Sequence, residues 1–586
     1  MPRELAMFAD FRGGLNTDAA DDLIGDNELT VAENVELGMR GGIAKRRGTE
    51  KLNAASYGAK VSQLIEWPRM SGGTTLLAVI GKSLHSINQE TYAKTSVKAL
   101  DSDRVGYVFF KNSVYFVDGK GFYRYDGSAA ENVPARTTQP ISSEIDPWGG
   151  WEQQPKVDEQ VRMVTPTGAI ITAKVAVAPE LESKAVQLKD LAGGAMADVV
   201  ADKTTFRFID DGSENADLFM MVVGKDDANF TVTLDYKSAT EIPVQNDLTA
   251  IRRCKFLLMN TRTHRMFAAG DSQYPSTMYY SELGDPTWWK PTSALMPSSA
   301  DGPITGLAMF GDSVLVFFSN AIWAWRGLDP EADAVWERLS TSQGTPAVDS
   351  LALTSGSLAY LSTGGVFAIS PSMLSMTAVM MPGEDMVANL CKNKVAAIIN
   401  GITKPAIACG VWDQVNQRYL LSYSDLTDGS KNNKVLVYDW SLKAFAIWTG
   451  LEIWSWLSRL DGTVLAGTHD GYIIKLGVGS TDYNGVSIPM VAETKPFAFQ
   501  VPNLKKRYWG LYVDYKQDDT TRGSITAKLK VDGAVTDTFA NPVGRQRTSR
   551  FGYRASVRAE NSTANPCSVM TIGIPYVVAS EARTTY

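Results

Sequence analysis

The chain has 586 residues, with 57 Lys and Arg against 64 Asp and Glu, a net charge of −7. At 44% hydrophobic and 21% charged residues it has enough apolar material for a sizeable core, which excludes a disordered chain. Its length excludes a small disulfide scaffold, and the mild acidity argues against a protein that grips nucleic acid through a basic face. The length predicts three or four units, or one large all-β body with additions. Cys254, Cys391, Cys409 and Cys567 form no CxxC pair, and His85, His264 and His469 stand far apart. Neither a zinc ribbon nor a thioredoxin motif is present, and no cofactor or metal is expected. Residues 1–14 do not read as a signal peptide, and no apolar run reaches the ~18 residues of a membrane span.

In chain order, residues 1–60 read as an arm. It holds a helix over 28–37 behind the Asp26-Asn27 cap signal, flanked by Gly13-Gly14 and Gly41-Gly42. Residues 61–136 then show strand–turn–strand units: 76–80 with 83–87, and 113–117 (SVYFV) with 121–125 (GFYRY) across Asp118-Gly119. The segment 137–248 departs from this texture. It opens on a proline-flanked stretch with Trp148 and Trp151, and carries 9 Lys and Arg against 19 Asp and Glu. Strands over 169–178, 204–209, 218–223 and 230–236 predict a small acidic β domain inserted in the chain. The hairpin grammar resumes over 249–490, at 313–318/321–325, 358–361/366–369, 418–423/434–439 and 463–466/472–476. Residues 491–586, with long alternating strands at 508–515, 524–531 and 568–577, read as a β-sandwich-like module. Such a unit returning every ~40–50 residues points to a mainly β fold, a β-propeller of about five to seven blades. An irregular series of hairpins in sandwiches is the alternative.

The candidate chemistry is sparse. There is no nucleophile elbow, no P-loop, no dinucleotide fingerprint after a strand, and no Ser-x-Asp-x-Gly-x-Thr-Trp box, so the chain is read as non-enzymatic. Asp118, Asp126, Asp301, Asp312 and Asp470 sit in turn sequences, where Asp bonds its own backbone; calcium binding by one of the loops is the alternative. His469 reads as a turn residue. Trp288-Trp289, Trp323/Trp325, Trp448 and Trp454/Trp456 read as inter-blade packing, with a sugar-stacking surface as the alternative. The basic clusters are Arg46 and Arg47 beside Lys45, then Lys505, Lys506 and Arg507, then Arg545, Arg547, Arg550, Arg554 and Arg558. They read either as a solvated face or as a surface that docks a partner or faces passing DNA.

Two stretches resemble a known family. Phe11-Arg12-Gly13-Gly14-Leu15-Asn16, Ala32-Glu33-Asn34 and Arg46-Arg47-Gly48 are similar to the opening of phage tail proteins of the nozzle or tail tubular B type. Residues 265–271 (RMFAAGD) and 278–288 (MYYSELGDPTW) resemble a blade motif of that family. The resemblance implies a structural virion protein, made in the host cytoplasm. It would form a homohexameric ring at the distal end of a short tail and surround the DNA exit channel. It also implies docking on a tail adaptor or gatekeeper protein, support for a fibre or spike, and a lumen that lets double-stranded DNA slide without sequence-specific binding. A receptor- or glycan-binding propeller and a polysaccharide-degrading propeller enzyme are the alternatives.

Overall fold

The computed structural model describes residues 4–69, 72–134, 155–180, 183–209, 220–235, 246–327, 330, 335–371, 387–391, 394–517 and 523–578. Trp148 and Trp151 lie outside them. The fold is mainly β, a propeller whose sheets recur as the sequence grammar demands. Seven four-stranded units follow one another among the described residues. Blade 1 spans residues 61–99, blade 2 106–132, blade 3 256–295, blade 4 304–340, blade 5 352–389 and blade 6 409–449. Blade 7 takes Ile453–Ser458, Val464–Thr468 and Ile473–Leu476 from late in the chain, and its outer strand, Thr49–Lys51, from the beginning. This circular closure joins the two ends of the propeller by backbone pairing.

The blades are short alternations of β-branched and aromatic residues, and both faces of each sheet are covered by neighbours. Ser313–Phe318 and Ser113–Val117 are therefore buried along their whole length. Separate apolar clusters fill the wedges. Trp67, Phe116 and Tyr125 join blades 1 and 2; Tyr115, Met266 and Trp289 join blades 2 and 3; Phe267, Val316 and Trp325 join blades 3 and 4. Phe317 and Tyr360 join blades 4 and 5, while Val61, Leu76, Leu465 and Ile473 join blade 7 back to blade 1. Trp289 and Trp325 lie inside these wedges, at 1% and 0% exposure, and Trp288 is buried at 2%.

Between blades 2 and 3 the chain makes a closed six-stranded barrel: Gln160–Val164, Ile170–Val177, Ala185–Ala192, Thr231–Leu234, Met220–Asp226 and Thr205–Phe208, in that spatial order. Its core, with Phe206, Phe208, Val222 and Val232, is a cluster of its own. Two of its strands, Gln160–Val164 and Ala185–Ala192, lie outside those expected from the sequence, although Gln160–Val164 alternates exposed and buried residues.

The helix expected over 28–37 is not formed. That stretch is two strands, Glu28–Glu33 and Val35–Leu37, broken at Asn34 with φ 52°. Tertiary pairing overrides the cap signal, because Glu28–Glu33 lies between Ala444–Thr449 of blade 6 and Met490–Thr494. The arm thus enters the C-terminal sandwich. One sheet of that sandwich holds Glu28–Glu33, Met490–Thr494, Ala555–Asn561, Thr526–Val531 and Ala534–Ala540. The other holds Val35–Leu37, Ile43–Lys45, Ser568–Val578, Lys506–Lys516 and Gln546–Gly552, with Glu4–Phe8 alongside Ser568–Val578. A single core cluster runs from blades 5 and 6 into this sandwich.

Candidate functional site

The residues that carry the family resemblance converge on a buried structural node. The Asn34 amide donates to Thr449 Oγ1 and to the Pro489 carbonyl, both at 2.8 Å, and its oxygen accepts from Arg46 Nε at 2.8 Å and Thr449 N–H at 2.9 Å. Arg46 is 2% exposed, also donates to the Thr449 and Arg47 carbonyls, and lies over the Trp448 ring. Burial lowers its pKa to about 10. Gly14 (φ 66°) passes so close to blade 6 that a Cβ there would stand 2.7 Å from the Phe445 carbonyl. In the second stretch, buried Asp271 accepts both Arg253 Nε and Nη2 at 2.7 Å and the Tyr279 hydroxyl at 2.8 Å, knitting blade 3 to the turn before it.

The propeller axis opens into a cavity of about 630 Å³, lined by the beginnings of the inner strands of the first four blades, including Gln63, Tyr107, Phe256 and Ile304, and by Val348 and Ala406 of the turns that lead into blades 5 and 6. At its floor Arg104 crosses the axis. It forms an ion pair with Asp349 beside blade 5 and donates to the Trp454 carbonyl of blade 7 at 2.8 Å. Burial works against the Arg104 charge, yet Asp349 and Asp103 outweigh it and hold its pKa above the ordinary value. Asp103 is itself paired with Lys60 at 2.6 Å. The floor is a charge-neutral crosslink rather than a set of free reactive groups.

The basic residues singled out in the sequence divide into two groups. Arg46 and Lys506, expected to dock a partner or face DNA, belong instead to the interior. Lys506 is 0% exposed and donates to the carbonyls of Val501, Leu504 and Tyr553 at 2.7, 3.0 and 2.7 Å. Arg550 bridges the two sheets of the sandwich through a bidentate contact to Asp537 at 2.9 Å. Arg554 reaches Asp21 and Asp22 of the arm, and Arg558 pairs with Glu493 and Glu560. Arg47, Lys505, Arg545 and Arg547 are exposed, and among the described residues none of their side chains is paired with a carboxylate, although the Arg47 backbone N–H donates to Glu36 Oε1 at 3.1 Å. Arg507 stacks on Trp509, 3.7 Å from the ring centroid, and near Phe551 at 5.6 Å.

Other candidates take structural places. Asp118 accepts Lys120 and Gly121 N–H, and Asp126 accepts Ser128 N–H, as turn carboxylates do. Asp301 instead accepts Trp323 Nε1 and Arg338. His469 Nδ1 accepts Trp454 Nε1 at 2.7 Å. The four cysteines are buried and unbridged, and burial pushes the Cys391 and Cys567 thiols up to about 11 and Cys409 to about 12. No group of three or more His, Cys, Asp or Glu side chains that could hold a metal occurs among the described residues. No helix among them is long and apolar enough to cross a membrane.

No family model and no curated protein matches the chain. Among solved structures it is similar to a streptogramin B lyase (9% identity, TM-score 0.30, covering 74% of this chain and 97% of that one). It is also similar to Saccharomyces cerevisiae Sqt1 (11%, 0.32, 74% and 99%). A third is the WD40 β-propeller domain of Doa1 (8%, 0.31, 73% and 96%).

Proposed function

We propose that this chain is a structural protein of a short phage tail, and that its copies form the ring around the DNA exit path at the distal end. The observation that carries this reading is the node at Asn34. The Ala-Glu-Asn and Arg-x-Gly residues that resemble the nozzle family are the ones that bolt the arm to blade 6 and the sandwich. They make one stiff body out of three parts, as a wall element requires. Arg104 spans the propeller axis, so in this reading the conduit runs between copies and not through any one propeller. Closing a ring from identical chains needs two unlike faces on each, and the barrel and the sandwich supply them. A glycan-binding role has less support, since Trp288, Trp289 and Trp325 are buried. Electron microscopy of the purified full chain, alone and with the neighbouring tail protein, tests the proposal. Rings with a lumen wide enough for duplex DNA are the expected result. A monomer under both conditions overturns it.

A further inference from the structure

The cavity at the propeller axis has the size and the chemistry of a small-molecule site. Its volume of about 630 Å³ falls within the roughly 300–1,000 Å³ of such sites. Its walls are fixed by the fold. The Gln63 side-chain amide bonds both the N–H and the carbonyl of Val105 at 3.0 Å, and Arg104 ties the floor to the Trp454 carbonyl. Walls already in place cost a ligand little ordering.

Charge and leftover polar capacity set what fits. The charged groups at the floor come in balanced pairs, Arg104 with Asp349 and Asp103 with Lys60. Asp271, also in the lining, is spent on Arg253 and Tyr279. Lys255 is the one charged lining residue without a counter-ion among those described, and it is exposed to solvent. An ionic ligand would have to break one of the floor pairs or bring an unmatched charge out of water, and both are costly. Hydrogen-bonding capacity, however, is left over. Among the described residues Asp349 meets Arg104 through Oδ2 alone, and Asp103 meets Lys60 likewise. The Tyr107 hydroxyl has no hydrogen-bond partner there; burial, with the nearby Asp349 carboxylate, pushes its pKa up to about 12. Opposite these groups stand the apolar side chains of Phe256, Ile304, Leu307 and Val348. A purely apolar guest would strand the free oxygens, whereas hydroxyls on a carbon frame satisfy both kinds of wall.

We propose that the axial cavity binds a neutral polyhydroxylated small molecule, either a free sugar or the end sugar of a glycan. Its hydroxyls donate to the free oxygens of Asp103 and Asp349 and exchange a hydrogen bond with Tyr107, while its C–H faces lie on the apolar wall. The site is separate from the buried tryptophans. It goes beyond the ring reading, because it belongs to a single propeller and does not depend on assembly.

Saturation-transfer NMR and calorimetric titration of the full chain test it, with glucose, galactose, N-acetylglucosamine and myo-inositol as probes and cyclohexanol as their apolar counterpart. At least one of these polyols is expected to bind wild type, and more tightly than cyclohexanol. Tyr107→Phe, which removes only the hydroxyl, is expected to weaken that binding at least about threefold. Ser272→Phe, which sets a bulky ring at an exposed position of the lining, is expected to abolish it. Circular dichroism and thermal unfolding matching wild type establish that both variants are folded. Beads carrying the bound sugar separate the two sources: retention of the protein marks the end of a glycan, and binding of the free sugar alone marks a diffusing molecule. No binding of any polyol, equal binding of cyclohexanol, or binding that both substitutions leave unchanged overturns the site. A wild-type chain that stays monomeric, alone and with its tail neighbour, removes the ring and leaves this site standing.

Discussion

Asp271 carries a full charge in a place with no solvent, and its environment explains how. Burial disfavours the carboxylate, but the Arg253 guanidinium, the Gln273 N–H and the Tyr279 hydroxyl together hold its pKa below the ordinary 3.8. An acid depressed on folding adds stability above its unfolded pKa and loses it as pH falls through the folded value. Asp271→Asn is therefore expected to lower unfolding free energy at pH 7 by about 3 kcal/mol, since it leaves Arg253 with half a partner. The gap to wild type narrows as pH falls below 3.8, where the unfolded chain takes up a proton that the native carboxylate still resists, and it closes once the native group is protonated as well. Urea unfolding at pH 7 and pH 3 reads this directly, and an equal gap at both contradicts the assignment. Asn34 belongs to the same class. Its left-handed backbone and four side-chain hydrogen bonds fix one conformation at the crossing of arm, blade and sandwich.

At the scale of elements, the closing strand Thr49–Lys51 is short but decisive, because Lys51, Glu50 and Thr49 pair with Ile474, Lys475 and Leu476. Glu50→Pro removes an N–H from that ladder and is expected to destabilise by about 3 kcal/mol, whereas Glu50→Ala, at an exposed position, stays within about 0.5 kcal/mol of wild type. Denaturant titration of the pair separates backbone pairing from side-chain loss. The hairpins were legible in the sequence because turn residues and period-two alternation are local signals. The partners of the arm were not, since Glu28–Glu33 borrows its neighbours from residues more than 400 positions away. Local cap residues then mimic a helix start. The basic clusters misled for a related reason: Lys506 and Arg507 are adjacent in sequence, yet a strand sends alternate side chains to opposite faces, one into carbonyls and one onto Trp509. The stacked face itself was half visible, in the interleaving of arginines with Phe551 and Tyr553.

For the whole molecule, separate cores mean separate stabilities. The barrel's apolar cluster shares no residue with those of the propeller. Phe206→Ala, at 0% exposure, is expected to cost the barrel about 3–4 kcal/mol and shift its calorimetric transition alone. A uniform shift of every transition argues instead for one cooperative unit. The circular closure of blade 7 has a consequence in time. Residues 49–51 leave the ribosome more than 420 residues before their partners at 474–476. At 5–20 residues per second, the strand waits roughly 20–80 s with an unpaired edge. The propeller is therefore sealed late in synthesis, after six blades have stacked, and the growing chain must keep its own beginning unengaged until then.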